Sequence, residues 1–297
     1  MPEKKRVAVY DLASRKSKTV GVIVPKLDSH FITTALKGIQ EITTESGYDI
    51  IITHSQENME KEAANVRLLS DRSVDGVLAS LSVETKGTAH FSPLTDKGTP
   101  VVFFDRVEDA CSSGTVVIDN ARCGYLATEH LIRQGCRRIA IITSDLKRDV
   151  YKQRYKGFRE ALDSYGIAFS QELLLLPEGD SDTGTDAAQK VLHMKPLPDG
   201  LFITNDLTAA ICMHTLNEAG IRVPEDIAIV GFNNDPVGRL ITPALTTIDY
   251  PGFEIGKTAA STLLAHLSGR KTVTERTTAI VPSSLIIRNS SLRSQAS

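Results

Sequence analysis

The feature that most narrows the fold is a rhythm. From Thr19 onward, short β-branched runs alternate with amphipathic segments, and the alternation runs through twice. Such runs bounded by turn residues read as buried strands, apolar residues at three- and four-residue spacing read as helix faces, and their alternation marks βαβ units under a parallel sheet. Thr19 to Val24 is the first strand, Pro25 to Phe31 a loop, and Leu36, Ile39 and Ile42 mark a helix that Gly47 stops. Strands at Asp49–Thr53, Val74–Ala79, Val101–Phe104 and Val116–Ile118 follow, with helices at Lys61–Leu69 and Phe91–Lys97 between them.

The second pass predicts strands at Arg138–Thr143, Leu173–Leu176, Leu201–Thr204 and Ile227–Phe232. Helices fall at Ala121–Gln134, Tyr151–Tyr165, Asp186–His193 and Leu207–Ala219. What remains is a strand at Leu245–Ile248, a helix over Ile255–Leu267, and extended stretches at Thr278–Val281 and Leu285–Ile287. These are too few for a third domain, so they are expected to complete the two sheets already made. The fold class is therefore α/β with two doubly wound parallel-sheet lobes, and ligands of such sheets bind beyond the carboxyl ends of the strands.

The 297 residues suffice for two such units. With 34 basic against 36 acidic residues, bulk charge points to no polyanion partner. No apolar run reaches the ~18 to 20 residues of a membrane span, and the opening residues lack the apolar core of a secretory signal. A cytoplasmic protein without membrane attachment is expected. The cysteines, Cys111, Cys123, Cys136 and Cys212, form no Cys-x-x-Cys pair and read as reduced, mostly buried thiols. The seven histidines show no chelating spacing, so no metal is expected. There is no Gly-x-Ser-x-Gly elbow, no Gly-x-Gly-x-x-Gly turn after the first strand and no phosphate loop. No cofactor and no catalytic residue is assigned, and the chain reads as a binding protein rather than an enzyme.

The residues then resemble a known family. Ser17-Lys-Thr-Val-Gly-Val-Ile-Val-Pro25, Val74-Asp-Gly-Val77, Pro100-Val-Val-Phe-Phe-Asp-Arg106, Val117-Ile-Asp-Asn120 with Gly124-Tyr-Leu-Ala127, and Gln134-Gly-Cys-Arg-Arg-Ile-Ala140 are similar to stretches of LacI/GalR transcription regulators. So are Arg154-Tyr-Lys-Gly-Phe158, Leu201-Phe-Ile-Thr-Asn-Asp206, Gly220 to Ile227, Gly231-Phe-Asn-Asn234 and Thr242-Pro-Ala-Leu-Thr-Thr-Ile248, all in family order. The resemblance implies a periplasmic-binding-protein-like fold of type I, two lobes joined by three crossovers. It places residues 19–118 with 250–279 in one lobe, 119–249 with 280–291 in the other, and 292–297 in a tail. It further implies a homodimer that takes a small effector, a sugar or derivative, between its lobes. A transport-type sugar-binding protein is the alternative on the same fold.

Residues 1–18 look like a remnant of the family's DNA-binding headpiece and hinge. Lys4 to Ala13 resembles the opening of helix one, and Ser14 to Gly21 resembles the segment after the hinge. The recognition helix that would lie between them is not seen, so operator DNA is a partner only where a headpiece is present. Another register makes Leu12 the hinge leucine that wedges into the minor groove, with Asp11 set unfavourably toward phosphate.

The resemblance also nominates effector-contacting residues. His30 and Phe31 follow the first strand, with Phe31 alternatively packing under its own loop. Arg148 and Arg154 bracket a helix start, where a planar guanidinium can donate paired hydrogen bonds to hydroxyls or a carboxylate. Asn205 can donate and accept toward a polyol. Asp206 is either a contact or a helix cap, and Phe202 is either strand core or a wall of the site. Asn233 stands where many relatives carry an acidic residue. Asp105 and Arg106 resemble a lobe-crossing contact, with a simple surface ion pair as the other reading.

Overall fold

The structure, a computed structural model, describes residues 16–108, 114–144, 146–176, 183–269 and 277–293. The chain divides into two compact units. The first runs to Val117 and resumes over Gly252–Ala279; the second comprises Ile118–Pro251 and resumes at Ile280, so the chain passes between units three times.

The first unit contains β1 (Thr19–Val24), α1 (His30–Glu45), β2 (Asp49–His54), α2 (Met59–Asp71), β3 (Gly76–Ala79), α3 (Ser92–Thr95), β4 (Val101–Phe104) and β5 (Thr115–Val117). Into the second unit fall α4 (Asn120–Arg133), β6 (Ile139–Ile142), α5 (Asp149–Ser164), β7 (Leu174–Leu175), α6 (Thr183–Leu192), β8 (Gly200–Ile203), α7 (Asp206–Glu218), β9 (Ala228–Asn233), α8 (Val237–Leu240) and β10 (Thr246–Asp249). The chain then returns α9 (Gly252–Leu267) and β11 (Thr278–Ile280) to the first unit, and β12 (Leu285–Ile286) to the second.

The sheets repeat one design. Strand order is β11-β5-β4-β3-β1-β2 in the first and β12-β10-β9-β8-β6-β7 in the second. β1 to β4 pair in parallel register, as do β6 to β10, while β12 joins β10 antiparallel. Ignoring the added edge strand, each unit follows a 2-1-3-4-5 order, whose direction of winding reverses between its first and third strands. Every residue of β3, β4, β6 and β8 is buried, as strands covered by helices on both faces must be.

Local chemistry explains the helix limits. Asn58 Oδ1 accepts from the Lys61 amide at 2.9 Å and starts α2, and Asp119 Oδ1 accepts from the Arg122 amide at 2.8 Å and starts α4. The predicted helix over Phe91–Lys97 is instead a 3-10 turn at Ala89–Phe91 followed by the single turn α3: Pro93 has no N–H to give the Ala89 carbonyl, which parts the two, and Gly98 at φ 75° ends α3 after one turn. The strand expected from Val74 starts at Gly76, since the Val74 amide is spent on the Leu69 carbonyl at 3.3 Å, closing the turn after α2; the Asp75 carboxylate accepts from the Ser17 amide and hydroxyl and from the Lys18 amide. The short α8 is a single turn of four residues, too brief to show a helical period in sequence.

Two apolar cores sit under the sheets. In the first unit, Val66, Leu69, Phe91, Leu94 and Phe103 gather on one face of the sheet; in the second, Ile203, Met213, Leu216, Ile229 and Leu245 do the same. Cys123, Cys136 and Cys212 are buried free thiols, and burial pushes Cys136 and Cys212 up to about 12. Cys111 and the stretch 1–15, which carries Leu12 and the headpiece-like string, lie outside the described residues. Among the described residues, no helix is long and apolar enough to cross a membrane.

Candidate functional site

In a sheet of this order the crevice opens at the carboxyl ends of the strands flanking the reversal, because the connections leave there on opposite faces. In the second unit those strands are β6 and β8. Six of the nominated residues gather at this edge: Arg148 caps the start of α5, Arg154 lies in its second turn, Phe202, Asn205 and Asp206 lie at the end of β8 and the start of α7, and Asn233 ends β9. His30 and Phe31 open α1 at the equivalent edge of the first unit.

Arg154 is the best-positioned of these. It is 4% exposed, its Nε donates to Asn120 Oδ1 at 2.9 Å, and its Nη1 donates to the Thr204 carbonyl at 3.2 Å. The guanidinium carbon lies 3.6 Å from the centre of the Phe232 ring, with Tyr250 at 5.3 Å and Tyr151 at 5.6 Å. A cation against an aromatic face is attracted by the ring quadrupole, more strongly where water is excluded. Nη2 has no hydrogen-bond partner among the described residues, so the fork keeps donors to spend on a solute.

Tight helix packing sets this geometry. A Cβ on Gly157 would lie 1.8 Å from the Ala121 carbonyl oxygen, and one on Gly124 would lie 2.2 Å from the Arg154 carbonyl oxygen. Only glycine lets α4 and α5 approach so closely, and that approach brings Asn120 within reach of Arg154.

Asn205, not Asp206, caps α7: its Oδ1 accepts from the Thr208 amide at 3.0 Å, which overturns the cap alternative for Asp206. Asn205 is exposed, and its amide nitrogen has no partner among the described residues. Asp206 is wholly buried. Its Oδ1 accepts from the Thr247 hydroxyl at 2.7 Å and its Oδ2 from the Asp235 amide at 2.8 Å, so as placed it offers no atom to a solute. Burial raises its carboxyl from 3.8 to about 7, against the pull of these hydrogen bonds.

Asn233 and Asn234 both adopt positive φ, 127° and 58°. Asn233 is half-buried with Nδ2 3.3 Å from Asp235 Oδ2. Asn234 is braced by Arg288 Nη2 at 2.7 Å and donates to Asp249 Oδ1 at 3.0 Å. Non-glycine residues held in this region need over-determining surroundings, and such residues cluster at ligand sites.

The remaining candidates are placed as follows. Arg148 is 4% exposed. Phe202 is fully buried in β8 with its ring centre 6.4 Å from that of Phe232, so it supports the ring beneath Arg154 instead of walling a site. His30 is exposed; Phe31 is buried, and its carbonyl oxygen stands 2.7 Å from where a Cβ on Gly252 would lie. Arg106 pairs with Glu57 at 2.8 Å inside the first unit, while Asp105, at φ 62°, accepts from the Ser80 hydroxyl. Among the described residues no cluster of His, Cys, Asp and Glu could hold a metal.

A sequence profile described as a periplasmic binding protein-like domain matches residues 128–291. The HTH-type transcriptional repressor PurR of Erwinia tasmaniensis is 31% identical over 257 residues, 86% of this chain and 75% of that protein. The chain belongs to the LacI/GalR family of transcriptional regulators. Two solved LacI/GalR relatives share its fold. The transcriptional regulator CelR in complex with cellobiose superposes with a TM-score of 0.84 at 26% identity, covering 93% of this chain and 85% of that one. A LacI family regulator from Enterococcus faecium with bound ribose gives 0.80 at 29%, covering 92% and 98%. The two α/β lobes are thus those of a periplasmic-binding-protein-like LacI/GalR regulator.

Three residues that no sequence signal singled out stand against Arg154 in this LacI/GalR chain: Asn120, Phe232 and Tyr250. Asn120 and Phe232 stand inside the quoted strings Val117-Ile-Asp-Asn120 and Gly231-Phe-Asn-Asn234, so a signal existed without marking them individually. Tyr250 carried none, because its ring reaches Phe232, at 5.8 Å, only through the pairing of β10 with β9.

Proposed function

We propose that this LacI/GalR chain is the ligand-sensing portion of a cytoplasmic regulator, taking a small polar effector of the sugar class at the carboxyl edge of its strands. The observation that carries this reading is Arg154, a buried guanidinium fixed by Asn120 and Thr204 over Phe232, with an Nη2 that has no partner among the described residues. Asn205 and Asn233 add amides at the same edge, suited to hydroxyls that both donate and accept. Arg148, His30 and Phe31 complete the proposed contact set. A binding role without catalysis accords with the regulator relatives. The effector acts through differential affinity for two conformations of a homodimer, and operator affinity follows wherever a headpiece is joined to it. Cellobiose and ribose bound to two relatives support the sugar class.

The test is thermal stabilisation against mono- and disaccharides, sugar phosphates, purines and amino acids. A solute at ~100 times its dissociation constant adds about 2.7 kcal/mol. A sugar hit abolished by Arg154→Ala and by Asn233→Ala is the expected result. A hit confined to purines or amino acids refutes the sugar class, and one indifferent to both substitutions refutes the site.

A further inference from the structure

Asp206 is a buried carboxylate that the effector reading leaves without a task. It lies 0% exposed at the first residue of α7, and it joins three elements. One oxygen takes the Thr247 hydroxyl of β10, and the other takes the Asp235 amide just past β9. Gly231 in β9 makes room for it, since a Cβ there would stand 2.2 Å from Asp206 Oδ1. Between Gly231 and Asp235 run the two left-handed asparagines, and the Asn234 amide donates to the same Thr247 hydroxyl oxygen at 3.3 Å. The carboxylate thus grips both the far end of this turn and the side chain against which the turn rests.

We propose that Asp206 is a positioning residue of the effector site: its charged carboxylate latches the Asn233–Asn234 turn in its left-handed form, and losing that charge releases the turn. The proposal rests on the effector reading for what the turn serves, and on Asp206 geometry alone for the latch. Only the ionised form accepts with full strength from all its donors, the Thr247 hydroxyl and the Asp235 and Phe232 amides, because a protonated carboxyl turns one oxygen into a donor. The charged groups facing it are Asp235, whose charge opposes its ionisation, and Arg288 from the C-terminal segment, which also faces Asp249 and Arg239. With burial holding the carboxyl at about 7, the latch works within the physiological range.

The first arm of the test needs no effector. In the 15N-labelled full chain, the Asp235 amide resonance is expected to titrate with a midpoint at ~7, and this inflection is expected to vanish in Asp206→Asn. Thr247→Val removes a donor from the charged form and keeps the carboxylate, so the midpoint moves upward; this variant decides alone if Asp206→Asn does not fold. A flat Asp235 profile in the parent, an inflection that survives Asp206→Asn, or an unmoved midpoint in Thr247→Val overturns the latch. The second arm measures binding of D-ribose and cellobiose by calorimetry one unit either side of the midpoint. Affinity should fall roughly tenfold toward acid in the parent and stay level in Asp206→Asn. Binding that is level with pH in the parent overturns the positioning role. If neither sugar binds while the amide titrates as described, the latch stands, and the pH arm is run with whichever solute of the panel stabilises the parent; level binding of that solute overturns the positioning role.

Discussion

Gly157→Ala adds one methyl group to a helix face that touches no proposed effector atom, and it should still damage the site. Its Cβ would stand 1.8 Å from the Ala121 carbonyl oxygen and 2.7 Å from the Tyr125 amide nitrogen, both backbone atoms that cannot rotate aside. Restoring ordinary contact of about 3.5 Å means separating α4 from α5 by roughly 1.5 Å. Overpacking of this kind costs about 1–3 kcal/mol, and the absence of a flexible neighbour puts this case at the upper end. For a domain of this size ~3 kcal/mol lowers Tm by roughly 6–12 °C. The same separation stretches the 2.9 Å bond from Arg154 Nε to Asn120 Oδ1 beyond hydrogen-bond range, so effector affinity should fall with stability. Urea unfolding of Gly157→Ala beside Lys152→Ala, an exposed position on the same helix, measures the first effect, and calorimetric titration of whichever solute stabilises the parent measures the second. A Gly157→Ala unfolding free energy within ~0.5 kcal/mol of the parent, the range of ordinary surface substitutions, would refute the reasoning.

Two further outcomes follow from the same neighbourhood. Asn120→Leu leaves the Arg154 Nε–H buried without an acceptor and should cost about 2–3 kcal/mol, whereas Arg154→Met removes the buried charge and should change stability by under ~1 kcal/mol. Denaturant melts of both singles and the double variant check this, and an Arg154→Met protein weaker than Asn120→Leu contradicts it. The pH dependence of folding carries the second. Burial raises Asp206 from 3.8 to about 7, so between these values the folded chain binds more protons than the unfolded one. Stability on this account is fullest below the unfolded value, declines as pH rises toward about 7 and levels above it, by ~4 kcal/mol in all. The difference in unfolding free energy between parent and Asp206→Asn across that window should show this slope, and a difference that does not vary with pH would remove Asp206 as its source.

Most of the element plan was legible because strand and helix signals are local. The β-branched run Thr19–Val24 and the apolar spacing ending at Gly47 depend on neighbours a few residues apart, and the structure places β1 and α1 over them. Where elements differ from their sequence pattern, the cause is also local but subtler: Pro93 and Gly98 leave α3 one turn, and the Val74 amide closes the turn after α2 instead of opening β3. The proposed site was legible in part through family strings: Arg154, Asn205 and Asn233 stand in them and share one strand edge of the second unit, while His30, Phe31 and Arg148 stand outside them. Individual roles were not legible. Asp206 and Phe202 look like site residues in the string Leu201 to Asp206, yet one is a wholly buried carboxylate and the other strand core.

The sequence by itself determined that two mostly parallel sheets form, to within about a residue where their strands end, and that glycines stand at positions 124, 157 and 231. Periodicity, turn chemistry and the lack of a Cβ are properties of the local chain. Only the tertiary structure decided that Gly124 and Gly157 press two helices together, that Asn120 reaches Arg154, and that Thr247 and Asp235 close on Asp206. Those partners lie 29 to 41 residues apart along the chain. A hydrogen bond reaches only ~3 Å, so which donor meets which acceptor is fixed by sheet order and helix packing, which no stretch of sequence records by itself.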